Sequence, residues 1–177
     1  MIMFILLAIL LGVCGLTVSL VGLFVLLRDP EKAGNRWFFA LAAAMGLWSI
    51  VNFFGSNVTV HGLTEALVQL DFSLALFLCW FVIKFVGTLL SSRAGIGHSL
   101  LVRFVRWRRF NLFSLLANSA LTIAIFTGSV LSVGIDEGAL KISTTNLFYS
   151  YMFFIIGYLS LTTWMLVAGY LRASKGE

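Results

Sequence analysis

No charged residue occurs between Ile2 and Leu27. That stretch exceeds the roughly 20 apolar residues a helix needs to cross about 30 Å of hydrocarbon. In lipid every backbone N–H and C=O must be paired inside the protein, so the regular solution is a helix through the bilayer. Similar stretches follow at about 37–54, 63–90, 112–133 and 147–171. The pattern predicts an all-α integral membrane protein: one domain over 1–177, a bundle of five transmembrane helices with the first at about 2–27. Composition points the same way, with 60% hydrophobic and 11% charged residues. Soluble domains carry about 25% charge. The scarcity of polar residues excludes a soluble enzyme, a disordered region and a disulfide-stapled secreted domain. Cys14 and Cys79 lie in apolar runs and read as small buried hydrophobes.

The linkers set the ends and the sides. Pro30 has no backbone donor and biases Asp29 away from helix, so the first break is sharp. Gly55-Ser56-Asn57 ends the second stretch, and Gly134 is expected to end the fourth. No Lys or Arg precedes Arg28, and the first apolar run is longer than a signal-peptide core, so a retained span is expected. Arg28, Lys32, Arg36, Arg93, Arg103, Arg106, Arg108, Arg109, Arg172 and Lys175 fall on one side, against Lys141 in the loops of the other. Basic loops stay in the cytoplasm. The N-terminus is therefore expected outside and the C-terminus in the cytoplasm, in a multi-pass protein of the cytoplasmic (inner) membrane. Trp37, Tyr149, Tyr151 and Tyr170 fall at span boundaries, where aromatic belts form.

Chemistry-bearing patterns are sparse. There is no nucleotide-binding signature and no Cys/His cluster for a metal, and His61 and His98 fall on opposite sides. The expectation is no catalytic residue, no metal site, no cofactor and no enzymatic activity. Two ionisable residues inside a span draw attention, because each is costly in hydrocarbon unless paired or hydrated. Asp71 is expected roughly 12 Å below the outer end of the third span, and Lys84 roughly 9 Å from its inner end. Lys84 is long enough to snorkel to the headgroups. Asp71 is too short for that and is expected to face the bundle, with Asn52, Gln69 and Tyr151 as neighbours. Asn118 is expected near the level of Lys84. The hydroxyls of Ser119, Thr122, Thr127, Ser129 and Ser132 can return hydrogen bonds to their own helix.

The segment from His98 to Phe110 mixes arginines with aromatic residues. At helical spacing Leu100, Phe104 and Trp107 share one face, and Arg103, Arg106 and Arg109 another, with Arg108 on the apolar side. A short interfacial helix in the third loop is expected, its arginines contacting anionic lipid headgroups rather than nucleic acid.

Three stretches carry a family resemblance. Asn35-Arg36-Trp37-Phe38-Phe39, followed by Trp48, resembles the start of the second helix in the N-terminal seven-span sensor region of membrane histidine kinases. Gln69-Leu70-Asp71 through Trp80-Phe81 to Phe85 is similar to that family's third helix, and Asn146-Leu147-Phe148-Tyr149 with its basic exit to the fifth. The resemblance covers about residues 20 to 172. It implies a membrane input region and, in the family, two more spans and a cytoplasmic output domain. Here the pattern stops after five spans with no phosphoacceptor histidine motif. Either a truncated sensor or a free-standing relative is expected. Two functions follow: a non-catalytic sensory or signal-input module, or an accessory structural subunit of a larger membrane complex. Both imply a protein partner or oligomer within the membrane.

The orientation has a direct test. An impermeant thiol reagent added from outside should label Asn57→Cys and spare Ser92→Cys. The reverse pattern would invert the topology.

Overall fold

The computed structural model describes residues 2–55, 61–91, 100–136 and 139–174. Arg93, His98 and Lys175 lie outside them. In chain order the elements are α1 (Ile2–Arg28), α2 (Ala33–Gly55), α3 (His61–Ser91), α4 (Leu100–Arg106), α5 (Arg108–Phe126), β1 (Leu131–Asp136), β2 (Ala139–Thr144) and α6 (Leu147–Ser174). Five of them, α1, α2, α3, α5 and α6, are long and apolar enough to cross a membrane. The chain is a multi-pass helical membrane protein.

The all-α expectation needs one correction, in the fourth stretch. The helix there runs Arg108–Phe126, not 112–133, and a two-stranded antiparallel hairpin follows it. The reason is local. Gly128 adopts φ +72°, a conformation that suits a residue without a Cβ. Its N–H bonds to the carbonyl of Ile125, and that of Ser129 to Ala124 at 2.8 Å. This double bond pattern with a left-handed glycine caps a helix and ends it. Gly134, expected to end the span, lies instead within β1, paired with Lys141. Val130, Leu131 and Val133 turn inward with Leu76, Leu121, Ile125 and Tyr151. Of these residues, read as the end of a span, Leu131 and Val133 form one face of β1 and Val130 immediately precedes it. The second helix also starts earlier than expected, at Ala33, directly after the Pro30 turn. Asn35 holds that turn by donating to the carbonyl of Asp29 at 2.9 Å.

Side-chain pairs fix the directions of the helices. Gly15 faces Ser49 and Gly22 faces Ala42, so α1 and α2 are antiparallel. Phe38 meets Phe85 while Asn52 meets Asp71, so α2 and α3 are antiparallel too. Lys84 meets Asn111 in the first turn of α5, and Leu76 shares a cluster with Leu121 and Ile125, which reverses the chain again. Phe72 meets Tyr151 and Leu90 meets Gly169, so α6 runs with α3. The described basic residues from Arg28 to Arg36 and from Arg103 to Arg109 thus gather at one end of the bundle. The hairpin sits at the other.

The hub is α3, which packs against α2, α4, α5, α6 and β1; α1 packs chiefly on α2. The α1–α2 contact is a seam of small residues: Gly15, Ser19 and Gly22 against Ala42, Gly46 and Ser49, each triplet at i, i+4, i+7. Such spacing lets helix backbones approach closely, the usual basis of association in lipid. The Ser19 hydroxyl bonds to the carbonyl of Gly15 at 2.9 Å and points toward that of Ala42 at 3.4 Å. The outer face of α1 presents Leu10, Leu16, Leu20, Phe24 and Leu27, each more than half exposed, a surface suited to hydrocarbon. Cys14 shares that exposure and is not the buried hydrophobe expected; Cys79 is half-buried.

A Cβ on Gly46 would collide with the Ser19 hydroxyl and with the carbonyl of Gly15. Gly46→Leu should therefore separate α1 from α2 and cost about 1–3 kcal/mol as an overpacked contact. Denaturant titration in detergent measures this, with Met45→Leu on the exposed face as the unaffected control. Equal stability of the two variants would remove the seam from the account.

Candidate functional site

Asp71 lies on α3 and Asn52 on α2. The Asn52 amide donates to the Asp71 carboxylate at 2.6 Å and to the carbonyl of Trp48 at 2.9 Å. The indole N–H of Trp48 also approaches the carboxylate but is buried without reaching hydrogen-bond geometry. Around this pair α2 and α3 part to leave a cleft of about 140 Å³, walled by Val51, Gly55, Leu67, Val68 and Phe72, with Ile142 of the hairpin across it. Asp71 faces the bundle, and Asn52 is its neighbour as the spacing suggested.

Of the other expected neighbours, Tyr151 is beside Asp71, its hydroxyl on the backbone of the next residue, and Gln69 is not. Gln69 is two residues from Asp71, which turns it to a different side of α3; its amide lies 3.4 Å from Glu65 one turn back. Tyr151 is not a belt residue. It is 2% exposed, and its hydroxyl donates to the carbonyl of Phe72 at 3.2 Å. Tyr149 and Tyr170 are widely exposed, as a boundary position requires.

Lys84 reaches a side-chain partner at the basic end of the bundle. It is buried, donating to the Asn111 side-chain carbonyl at 2.7 Å, with its ammonium 5.1 Å from the Trp37 ring centre. Trp37 is packed edge-on against Trp80 at 5.9 Å, so it forms part of the lysine's cage, not of a belt. The expected amide partner was the right residue type on the right helix, two turns misplaced. Asn111 stands in the first turn of α5, opposite the last turns of antiparallel α3; Asn118 is deeper. Asn118 is fully buried and accepts from the Tyr158 hydroxyl at 3.1 Å, while its amide nitrogen has no partner in the structure. The hydroxyl of Thr122 likewise has none, contrary to the expected bond to its own helix. Thr127 does make such a bond, to the carbonyl of Ala124 at 3.2 Å, and others occur at Thr17, Ser19, Ser73 and Thr88.

The interfacial segment is helical over Leu100–Arg106, breaks at extended Trp107, and continues as α5. Its buried face is Val102 and Val105, not the aromatic one. Val105 sits over Gly87, where a Cβ would come within 3.2 Å. Phe104 and Trp107 point outward beside exposed Arg103, Arg106, Arg108 and Arg109, and Arg109 lies 5.5 Å from the Trp107 ring centre. Outward aromatics beside arginines suit the boundary between acyl chains and headgroups.

The two polar centres differ chemically. Lys84 is enclosed by a tryptophan and an amide. Asp71 lines an open cleft. No family model, no curated protein and no solved structure matches the chain.

The Lys84–Asn111 bond can be isolated by a double-mutant cycle. Asn111→Leu strands a buried ammonium and should cost about 1–3 kcal/mol. Lys84→Met together with Asn111→Leu should recover most of that loss, because neither polar end remains. Stability unchanged in Asn111→Leu would mean the bond contributes nothing.

Proposed function

We propose that this chain is a non-catalytic sensory or signal-input module of the cytoplasmic membrane, of the kind found at the N-terminus of membrane histidine kinases. In this reading the N-terminus and the hairpin end face outside. The basic end faces the cytoplasm, its arginines on Arg103–Arg109 rest on anionic headgroups, and the signal passes to a protein partner or a further domain. The observation that carries the reading is the cleft at Asp71. It combines a carboxylate, an amide and apolar walls at the hairpin end, where positive-inside topology places the external medium. Intramembrane ionisable groups facing a cavity are the usual marks of ligand sites. The cleft also lies where α2, α3 and the hairpin meet, so an occupant would act on three elements at once.

A second reading, an accessory subunit of a larger complex, is favoured by a different surface. Between α1 and the end of α2 runs a groove of about 400 Å³ lined by Ile9, Gly12, Val13, Leu16, Ile50, Phe53 and Phe54. Its lining is apolar, which suits a hydrophobic partner surface.

Accessibility in native membranes separates the two. In a chain with Cys14→Ala and Cys79→Ala, a small impermeant thiol reagent should label Asp71→Cys while membranes are intact. Labelling that appears only after detergent strips partner chains would support the subunit reading. No labelling in either state would overturn the sensory one.

A further inference from the structure

We propose that the cleft at Asp71 binds a small monovalent organic cation, of the type of a protonated primary amine. The assignment rests on the sensory reading of that cleft and narrows it to one ligand chemistry.

Charge comes first. The groups held against the Asp71 carboxylate are the Asn52 amide and, more loosely, the Trp48 indole. Both are neutral donors, and neither cancels the negative charge. An ionised group at this depth is stable only when paired or hydrated. An entering cation supplies the missing charge, whereas an anion would be repelled and a neutral solute would leave the charge uncompensated. The surroundings act in the same sense. Asp71 is the charged residue in the described lining of the cleft, and the described basic residues apart from Lys84 and Lys141 lie toward the far end. Low-dielectric walls strengthen the attraction of such a group for the opposite charge.

Size and walls narrow the class. About 140 Å³ is several times the roughly 30 Å³ a water molecule takes up in the liquid, enough for a few heavy atoms and too little for a peptide or a sugar. A hard divalent metal ion would need six or more oxygen ligands for calcium, or near-ideal octahedral oxygen geometry for magnesium. The cleft offers one carboxylate and one amide side chain. Its remaining walls are Val51, Leu67, Val68, Ile142 and the ring of Phe72. A carboxylate among apolar walls suits an ammonium with a short alkyl stem, the carboxylate pairing with the cation and the walls covering the stem.

The test uses the full chain in lipid nanodiscs at constant ionic strength, with ethylammonium as probe and acetamide and acetate as comparison solutes. A ligand that binds only the folded state raises the unfolding midpoint in a saturable way. Ethylammonium should raise the midpoint, read by intrinsic fluorescence, and acetamide and acetate should not. Asp71→Asn keeps an oxygen for the Asn52 amide and should abolish the response. Glu65→Gln, which alters the charge of the same end outside the cleft, should retain it. Should Asp71→Asn fold poorly, Phe72→Leu serves as the second variant and should raise the half-saturating concentration several-fold with the carboxylate intact. An equal response in Asp71→Asn, a response to acetamide as large as that to ethylammonium, or no response to ethylammonium overturns the cation assignment. If acetamide or acetate gives an Asp71-dependent response and ethylammonium none, the cation fails while the sensory cleft stands. Failure of Asp71→Cys to label in membranes removes the sensory reading itself, whatever the solutes do.

Discussion

Hydrocarbon cannot solvate a charge, and this bundle is arranged so that its two deep charges never meet it. Both are on α3, and α3 is the helix that nearly every other element covers. Asp71 is turned to α2 and Lys84 to the junction of α2 and α5. Leu76 and Ile83, between and beside them, are fully buried. The two polar centres are separated by several turns of helix, so neither neutralises the other. Each is met by an asparagine, a residue that can offer a carbonyl to the ammonium or an amide to the carboxylate.

The rest of the packing divides according to what each helix must hide. Packed chiefly on α2, α1 relies on close backbone approach through glycine, serine and alanine, with most of its bulky side chains left for lipid. On α3 the contacts are aromatic instead. Trp37 and Phe38 of α2 interleave with Trp80, Phe81 and Phe85, and Phe72 meets Phe148 and Tyr151. Rings of this size fill the space around a helix that carries charges and shield them from lipid.

How much of this could be read from the sequence depended on the kind of signal involved. Five apolar stretches long enough to span were legible because length and hydrophobicity are properties of a single segment. The Asp71–Asn52 pair was legible because both residues are rare polar groups at matching depth. The hairpin was hidden because Val130, Leu131 and Val133 are as apolar as a span, and the signal that ends the helix is one glycine, Gly128, amid ordinary span residues. The Lys84 partner was placed two turns too deep because its position depends on where α5 begins, and Arg108 and Arg109 look like loop by charge yet are helical. The Trp37 cage, the buried Tyr151 and the Val102–Val105 face of α4 depend on which neighbour each side packs against. No periodicity encodes that, although the paired i, i+4, i+7 triplets of small residues on α1 and α2 did stand in the sequence as a visible mark of their seam.

The two asparagines stand on opposite sides of α3 in the chain, and this has a consequence for how the protein is made. Asn52 precedes Asp71 by 19 residues, so the acid enters the membrane with its amide already inserted. Asn111 follows Lys84 by 27 residues, so the ammonium must wait until α5 has been synthesised. During that interval Lys84, seven residues before the end of α3, has only water, headgroups and the Trp37 ring to turn to. The lysine can therefore leave the interface and take its buried place only when the fourth span arrives. The arrival of α5 is thus the step that draws a charge inward and begins to dock the second half of the bundle onto the first.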